Sequence, residues 1–184
     1  MAGAAILAGL EGIVITEHNV LWPEDELHEL KERHPRLVIL NGVELSLHDT
    51  HLLVYGISKI PEVDELSPVL NALARTKNAA TFRAVAHPFR FEATHANFNF
   101  LAGLSIEGVE VGSSNTREID GHMARDLAQT RGLVKIAGSD AHSAEMLGQH
   151  YTVFEDPIRC MGDLTLALRQ GRCCEYVGRT VAGL

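Results

Sequence analysis

The sequence contains few cysteines, few basic residues and no long apolar segment. The three cysteines, Cys160, Cys173 and Cys174, are an odd number, which argues against a disulfide framework and indicates a reducing compartment. Lys and Arg number 16 against 24 Asp and Glu, and the formal net charge of −8 disfavours a protein that binds nucleic acid through phosphate contacts. The apolar start lacks the basic residues of a signal peptide, and no segment reaches the length of a membrane span. We therefore expect a cytoplasmic protein without a membrane anchor.

The chain also lacks linkers, low-complexity segments and internal repeats. Its 184 residues, 46% hydrophobic and 22% charged, are typical of an ordinary globular protein, and we predict a single domain over residues 1–184 with a sizeable core. Aromatic residues make up only 5% of the chain. The phenylalanines between positions 89 and 100 are expected in the core or in a pocket wall, because a base-stacking platform would lie beside basic charge.

Apolar runs of strand length alternate with helical patterns. This alternation predicts parallel βαβ units, in which ligands bind at the carboxyl ends of the strands. The predicted strands are 12–16, 37–43, 51–56, 83–86, 106–111, 133–137 and 151–154. The predicted helices are 2–8, 23–34, 61–73, 115–131 and 157–170, with a short one near 97–102.

Histidine and acidic residues follow these strands repeatedly. His18, Glu44, His87 and the pair Asp140-x-His142 each come at the end of an apolar run, and the chain contains ten histidines. Imidazole and carboxylate ligands suit zinc, manganese or iron better than magnesium or calcium. Because no cysteine lies near these positions, a thiolate zinc site is not expected. The pattern predicts a metal-dependent hydrolase site at the rim of a parallel barrel or sheet.

Five motifs in this order resemble the PHP (polymerase and histidinol phosphatase) superfamily of metal-dependent phosphoesterases. The resemblance covers nearly the whole chain, from about Ala8 to Arg172, and implies a distorted (βα)7 barrel with two or three divalent ions, of zinc, manganese or iron. It also implies that Glu44 bridges two ions, that Arg90 binds phosphate, and that Glu44, His142 and Arg90 act in catalysis. The motifs are ITEHN at 15–19, GVELS at 42–46, HLLVYG at 51–56, AHPFR at 86–90 and GSDAH at 138–142. The implied metal ligands are His18, Glu44, His51, His87, Asp140 and His142.

The resemblance begins after the first strand of the family pattern. That strand carries a His-x-His pair, and an Asp follows it, so we expect a barrel that is incomplete at the N-terminus and holds fewer ions. In the family, Asp140 would share an ion with the absent pair and His142 would share another with His18. We expect Glu44, His51 and His87 to form the most complete site. The unpaired edge makes association of two copies possible.

The leading functional hypothesis is hydrolysis of a small phosphomonoester or nucleotide by a metal-activated water. Because the first ligands of the family pattern are missing, one alternative is a catalytically impaired module that binds metal or regulates a partner. Another is an oligonucleotide exonuclease, although the acidic balance counts against nucleic acid as a partner. His142 or His18 could serve as the general acid for the leaving group.

Several residues keep two interpretations. His48 could replace His51 as a ligand, and Asn115 is expected to cap a helix. Glu110 could contact the substrate or pair with Arg117. Arg90 is the phosphate-binding candidate, and its alternative role is an ion pair with Glu92 or Glu110.

Overall fold

The computed structural model of the protein describes residues 1–47, 50–60, 80–90 and 106–178. The predicted helices at 61–73 and near 97–102, and the alternative ligand His48, lie outside the described residues. Within them, the other predicted helices and strands are confirmed to within a few residues, while the last strand was not predicted. The helices are α1 (Ala2–Leu7), α2 (Glu24–Arg33), α3 (Glu118–Arg131) and α4 (Met161–Arg169), with a 3-10 turn at Ala144–Met146. The strands are β1 (Gly12–Ile15), β2 (Val38–Leu47), β3 (Thr50–Tyr55), β4 (Phe82–Ala86), β5 (Gly108–Glu110), β6 (Val134–Ile136), β7 (His150–Phe154) and β8 (Cys173–Val177).

Six strands form one sheet in the order β1-β2-β3-β4-β5-β6, which curls into half a barrel. Strand β1 is parallel to β2, and β4, β5 and β6 are parallel to one another. Strand β3 is antiparallel to both of its neighbours, so the prediction of parallel pairing throughout is wrong at this strand. The physical reason is the connection: only two residues separate β2 from β3, and a parallel crossover needs a dozen or more. The seven-unit count of a complete barrel stays a prediction.

The two faces of the sheet are both buried. Alternate residues of β2 and β3, such as Val43, Leu45 and Leu52, face one apolar cluster that also includes Ala124 and Ala128 of α3. The intervening residues face a second cluster with Phe82 and the α4 side chains. Because side chains of a strand alternate between faces, Glu44 and His51 project on this second side. Polar groups are thus placed on a face that is otherwise apolar.

Local signals explain where the helices begin and end. Helix α2 follows Pro23 and has three acids in its first turn, where the positive end of the helix dipole favours them. Helix α3 ends at Gly132, which adopts the left-handed conformation with φ 65. The predicted cap Asn115 is wrong, because α3 begins after Arg117 and has no side-chain cap. None of the helices in the described ranges is long and apolar enough to cross a membrane.

Strand β1 lies at one edge of the six-stranded sheet. Within the described ranges its paired neighbour is β2. Strands β7 and β8, with α4 between them in the chain, form a separate antiparallel two-stranded sheet. Association of two copies through the β1 edge, like the single-domain boundary, stays a prediction.

The core packing gives a stability prediction. Leu52 is fully buried in the cluster that α3 covers, so Leu52→Ala should lower the free energy of unfolding by about 2–5 kcal/mol. Leu166 on α4 is 52% exposed, and Leu166→Ala is the matched control, with an expected change within about 0.5 kcal/mol. Urea unfolding followed by circular dichroism measures both values. Equal losses in the two variants would contradict the described core.

Candidate metal centre

The centre of the site is a buried carboxylate that two imidazoles share. Glu44 lies within β2, rather than at its end as the sequence suggested, because β2 continues to Leu47. Its Oε1 accepts hydrogen bonds from His51 Nδ1 at 2.7 Å and from His87 Nε2 at 3.2 Å. These three side chains therefore converge on one oxygen atom.

His18 is brought to the same place by backbone pairing. It forms a parallel bridge with Glu44, whose N–H donates to Glu17 O at 3.1 Å and whose carbonyl accepts from Asn19 N at 2.9 Å. The His18 ring shares a hydrogen bond of 2.9 Å between its Nδ1 and Ser46 Oγ. The chain beyond β1 thus continues along β2 and places an exposed imidazole over the buried carboxylate.

The donor atoms are close enough to bind one ion. His18, Glu44 and His51 each offer one ligand atom, and these atoms lie within 4.8 Å of one another. The ring centroids of His51 lie 4.9 Å from His18 and 5.1 Å from His87. Imidazoles around a carboxylate are ligands that zinc, manganese and iron accept. The residues present therefore fit a transition-metal ion.

The antiparallel strand explains why His51 belongs to this group. It pairs with Ser46 of β2 and with Ala86 of β4. The first residues of β3 therefore lie at the same sheet edge as the last residues of its neighbours. A ligand at the amino end of an antiparallel strand and ligands at the carboxyl ends of parallel strands meet in one place.

The charge on Glu44 is stabilised by its neighbours. Burial by itself raises the pKa of Glu44, but hydrogen bonds from His51 and His87, with attraction from the His87 and His18 rings, lower it to about 2. The carboxylate is therefore ionised at neutral pH. Metal ligands must be deprotonated, so an ion would bind the Glu44 carboxylate and replace the imidazole protons that now point at it.

A second polar group surrounds Asp140. Its Oδ2 accepts hydrogen bonds from Arg90 Nη1 at 3.3 Å and from Asn115 Nδ2 at 2.7 Å. The same Asn115 amide also donates to Asp140 O at 2.9 Å. Asn115, predicted as a helix cap, instead fixes this acid. His142 is 71% exposed, and its Nδ1 donates to Asp140 O at 3.0 Å.

Glu110 lies buried between the two groups. Its Oε2 accepts the backbone N–H of His87 at 3.0 Å, and Arg117, the pairing partner considered from the sequence, donates two hydrogen bonds to Asp120. Burial raises the pKa of Glu110 to about 8, and repulsion from Asp140 and Glu44 adds to the rise, against the opposing His87 and Arg90 interactions. The contact with the His87 backbone was not predicted from the sequence, and contact of Glu110 with substrate stays a prediction.

The backbone is strained at three places around the site. Among the described residues other than glycine, Asn19, His87 and Asp140 have positive φ, at 58, 27 and 47. Such conformations cost of order 1–3 kcal/mol each and persist where surrounding contacts enforce them. One of these residues follows a candidate ligand and two are candidate ligands themselves, so the strain is concentrated at the candidate centre.

The comparisons with known proteins agree with this fold. PsfC of Pseudomonas syringae is similar over 96% of this chain and 80% of its own, with a TM-score of 0.65 and 19% identity. An amidohydrolase of Chromobacterium violaceum, solved with sulfate and no metal, is similar over 94% and 90%, with a TM-score of 0.59 and 15% identity. A Bifidobacterium adolescentis protein described as a metal-dependent phosphoesterase is similar over 78% and 82%, with a TM-score of 0.52 and 15% identity.

Sequence comparison matches one part of the chain to a known family. No curated protein is similar to the chain. Residues 119–173, from α3 to the start of β8, match a family model described as PHP-associated. This match supports the PHP superfamily, to which the sequence motifs are similar. The predicted superfamily is thus supported over this part of the chain, while the roles of single residues stay predictions.

The structure brings some of the predicted PHP ligands together and keeps others apart. His18, Glu44, His51 and His87 form the group around the shared oxygen. Asp140 and His142 contact each other but, within the described ranges, are not members of the three-residue group whose ligand atoms lie within 4.8 Å. Arg90 binds Asp140. Sequence reasoning missed the role of Asn115, because an Asn a few residues before a helix is a common cap signal.

The Asn115 contacts give a second prediction. Asn115→Ala removes both hydrogen bonds that hold Asp140 in its left-handed conformation, and should lower the free energy of unfolding by about 1–3 kcal/mol. Gln149→Ala is the control, because it removes a hydrogen bond from a side-chain amide to a backbone carbonyl, Glu145 O, at an exposed position. That control should change stability by about 0.5 kcal/mol or less. Urea unfolding of the metal-free proteins makes the comparison, and equal effects would contradict a special role for Asn115.

Proposed function

We propose that the chain is a metal-dependent phosphoesterase that hydrolyses a small phosphomonoester or nucleotide. The observation that carries the proposal is the imidazole group around Glu44 Oε1 together with the Arg90 guanidinium, since buried Glu110 interacts electrostatically with both Glu44 and Arg90. One part is suited to a cation and the other to the oxygens of an anion. A phosphate ester requires both, since its own negative charge repels a nucleophile.

The residues that would hold divalent ions are the predicted ligands. His18, Glu44, His51 and His87 supply the compact group, and Asp140 with His142 supply further donors on the loop after β6. Bound ions would acidify a water molecule and neutralise charge on the phosphate. Zinc, manganese and iron are the ions that we propose, in keeping with the imidazole content.

Arg90 is the proposed phosphate-binding residue. Its guanidinium is half-buried and donates through Nη1 to Asp140 Oδ2 at 3.3 Å. The Asp140 contact orients the guanidinium, whose planar, charged N–H groups match the geometry of phosphate oxygens.

His142 is the proposed general acid. Its Nδ1 donates to a carbonyl, which fixes one proton on that nitrogen, so Nε2 exchanges protons with substrate when it is not bound to an ion. The ring is exposed, as a group that protonates a departing alkoxide must be. His18 is the alternative acid, but its position beside Glu44 suits a ligand better.

The first experiment measures metal binding and turnover together. The purified protein should bind zinc or manganese and hydrolyse p-nitrophenyl phosphate. His51→Ala removes a ligand and should lower kcat/KM by at least about 100-fold, because loss of even a group that supports a ligand costs 10–100-fold. His28→Ala on exposed α2 is the matched control and should behave as wild type. Wild-type protein that binds metal without turnover would favour a regulatory module, and protein that binds none would refute the proposal.

The second experiment tests the phosphate specificity of Arg90. Arg90→Gln should raise KM for the aryl phosphate, and Ki for inorganic phosphate, by about 10-fold or more, because a charge-assisted bidentate contact is lost. The matching anilide substrate without phosphate serves as the comparison, because one similar structure is an amidohydrolase. Faster turnover of the anilide, with no response to Arg90→Gln, would overturn the phosphoesterase assignment.

A further inference from the structure

Two glutamates at the ends of β5 make the same contact with β4. Glu107 Oε2 accepts the backbone N–H of Arg83 at 3.0 Å, and Glu110 Oε2 accepts the backbone N–H of His87 at 3.0 Å. Arg83 lies near the start of β4, and His87 directly follows its end. The strand is therefore bracketed by two carboxylates, one far from the candidate metal centre and one inside it.

The surroundings of Glu110 are unfavourable for an acid. Its side chain is buried, and Glu44 and Asp140 are close enough to repel its charge, with Arg90 as the compensating cation. A Cβ placed on Gly138 would lie 3.5 Å from Glu110 Oε1, so the second oxygen is covered by the chain that leads to Asp140. A polar side chain persists in such a place when it satisfies a specific buried partner.

That partner is the backbone at His87. The β4–β5 register pairs Ala84 with Gly108 and Val85 with Val109, so β5 does not extend opposite His87. At φ 27 the chain turns out of the strand there, and the His87 N–H meets a side chain in place of a neighbouring backbone. The turn directs the ring so that Nε2 reaches Glu44 Oε1.

We infer that Glu110 is a positioning residue for His87: its carboxyl oxygen holds the left-handed backbone of His87 and thereby aims the imidazole at the metal centre. The inference rests on the proposed function in one respect, namely that His87 is a metal ligand. In this role Glu110 contacts neither the metal nor the substrate and acts only through the backbone of His87. What matters is an acceptor oxygen at the correct distance, not a negative charge.

Two conservative variants separate the oxygen from the charge. Glu110→Gln keeps an acceptor oxygen at the same distance and removes the ionisable group, whereas Glu110→Asp keeps an ionisable carboxyl group and withdraws the oxygen by one methylene. Glu107→Asp is the matched control, because it shortens the equivalent carboxylate at the other end of β4. All three substitutions preserve the polar character and approximate size of the side chain.

The first readout needs no metal. Amide hydrogen exchange of ¹⁵N-labelled, metal-free protein is followed by NMR at His87, with the Val85 amide as an internal reference. Exchange at His87 should accelerate by about 10-fold or more in Glu110→Asp, relative to Val85, and stay near the wild-type rate in Glu110→Gln and Glu107→Asp.

The second readout is cobalt binding, followed through the visible absorption of the Co²⁺ complex. Glu110→Asp should weaken binding by about 10–100-fold and alter the spectrum, while Glu110→Gln and Glu107→Asp should stay within about threefold of wild type. Unchanged exchange and cobalt affinity in Glu110→Asp would overturn the inference, as would a Glu110→Gln variant as impaired as Glu110→Asp. If wild type binds no cobalt, the proposed function fails, and the exchange rates alone still decide whether Glu110 positions His87.

Discussion

The shared oxygen of Glu44 is the interaction on which the site depends. A buried carboxylate is costly unless charged partners and hydrogen bonds surround it. Here two imidazoles donate to one oxygen, and the net effect lowers the pKa of Glu44 despite its burial. Those partners come from β3 and from the end of β4, so satisfying one charge fixes the relative positions of three consecutive strands of the sheet. The centre is therefore part of the folded core, not an addition to its surface.

The antiparallel β3 strand is the constraint that assembles this group. With two residues between β2 and β3, the chain must reverse direction, and the reversal brings His51 opposite Ser46. In a sheet that was parallel throughout, the start of a strand would lie at the edge opposite to the ligands. The short connection thus determines which residues can be ligands, and a mixed sheet makes His51 available where an all-parallel sheet would not.

The sequence predicts the elements well and the contacts less well. Apolar runs ending at His87 and before Asp140 are visible because they reflect burial and strand length, which are local properties. The contact of Asn115 with Asp140, and that of Glu110 with His87, depend on which strands become neighbours, and no periodicity encodes that. The direction of β3 could have been deduced, since even the residues between the predicted strands 37–43 and 51–56 are too few for a parallel crossover. The end of β2 could not, because residues beyond Glu44 continue the strand only by pairing with β3.

The strained backbone follows from the same arrangement. Strands supply rigid positions, but a ligand just beyond a strand end must turn toward the centre, and the left-handed conformations at Asn19, His87 and Asp140 make these turns. Each is accompanied by a hydrogen bond between a side chain and a backbone group: Ser46 N with Asn19 Oδ1, His87 N with Glu110 Oε2, and Asn115 Nδ2 with Asp140 O. The bonds offset the cost of an unusual φ at the place where it aims a ligand. Precision at the centre therefore depends on residues that hold the backbone as much as on the ligands themselves.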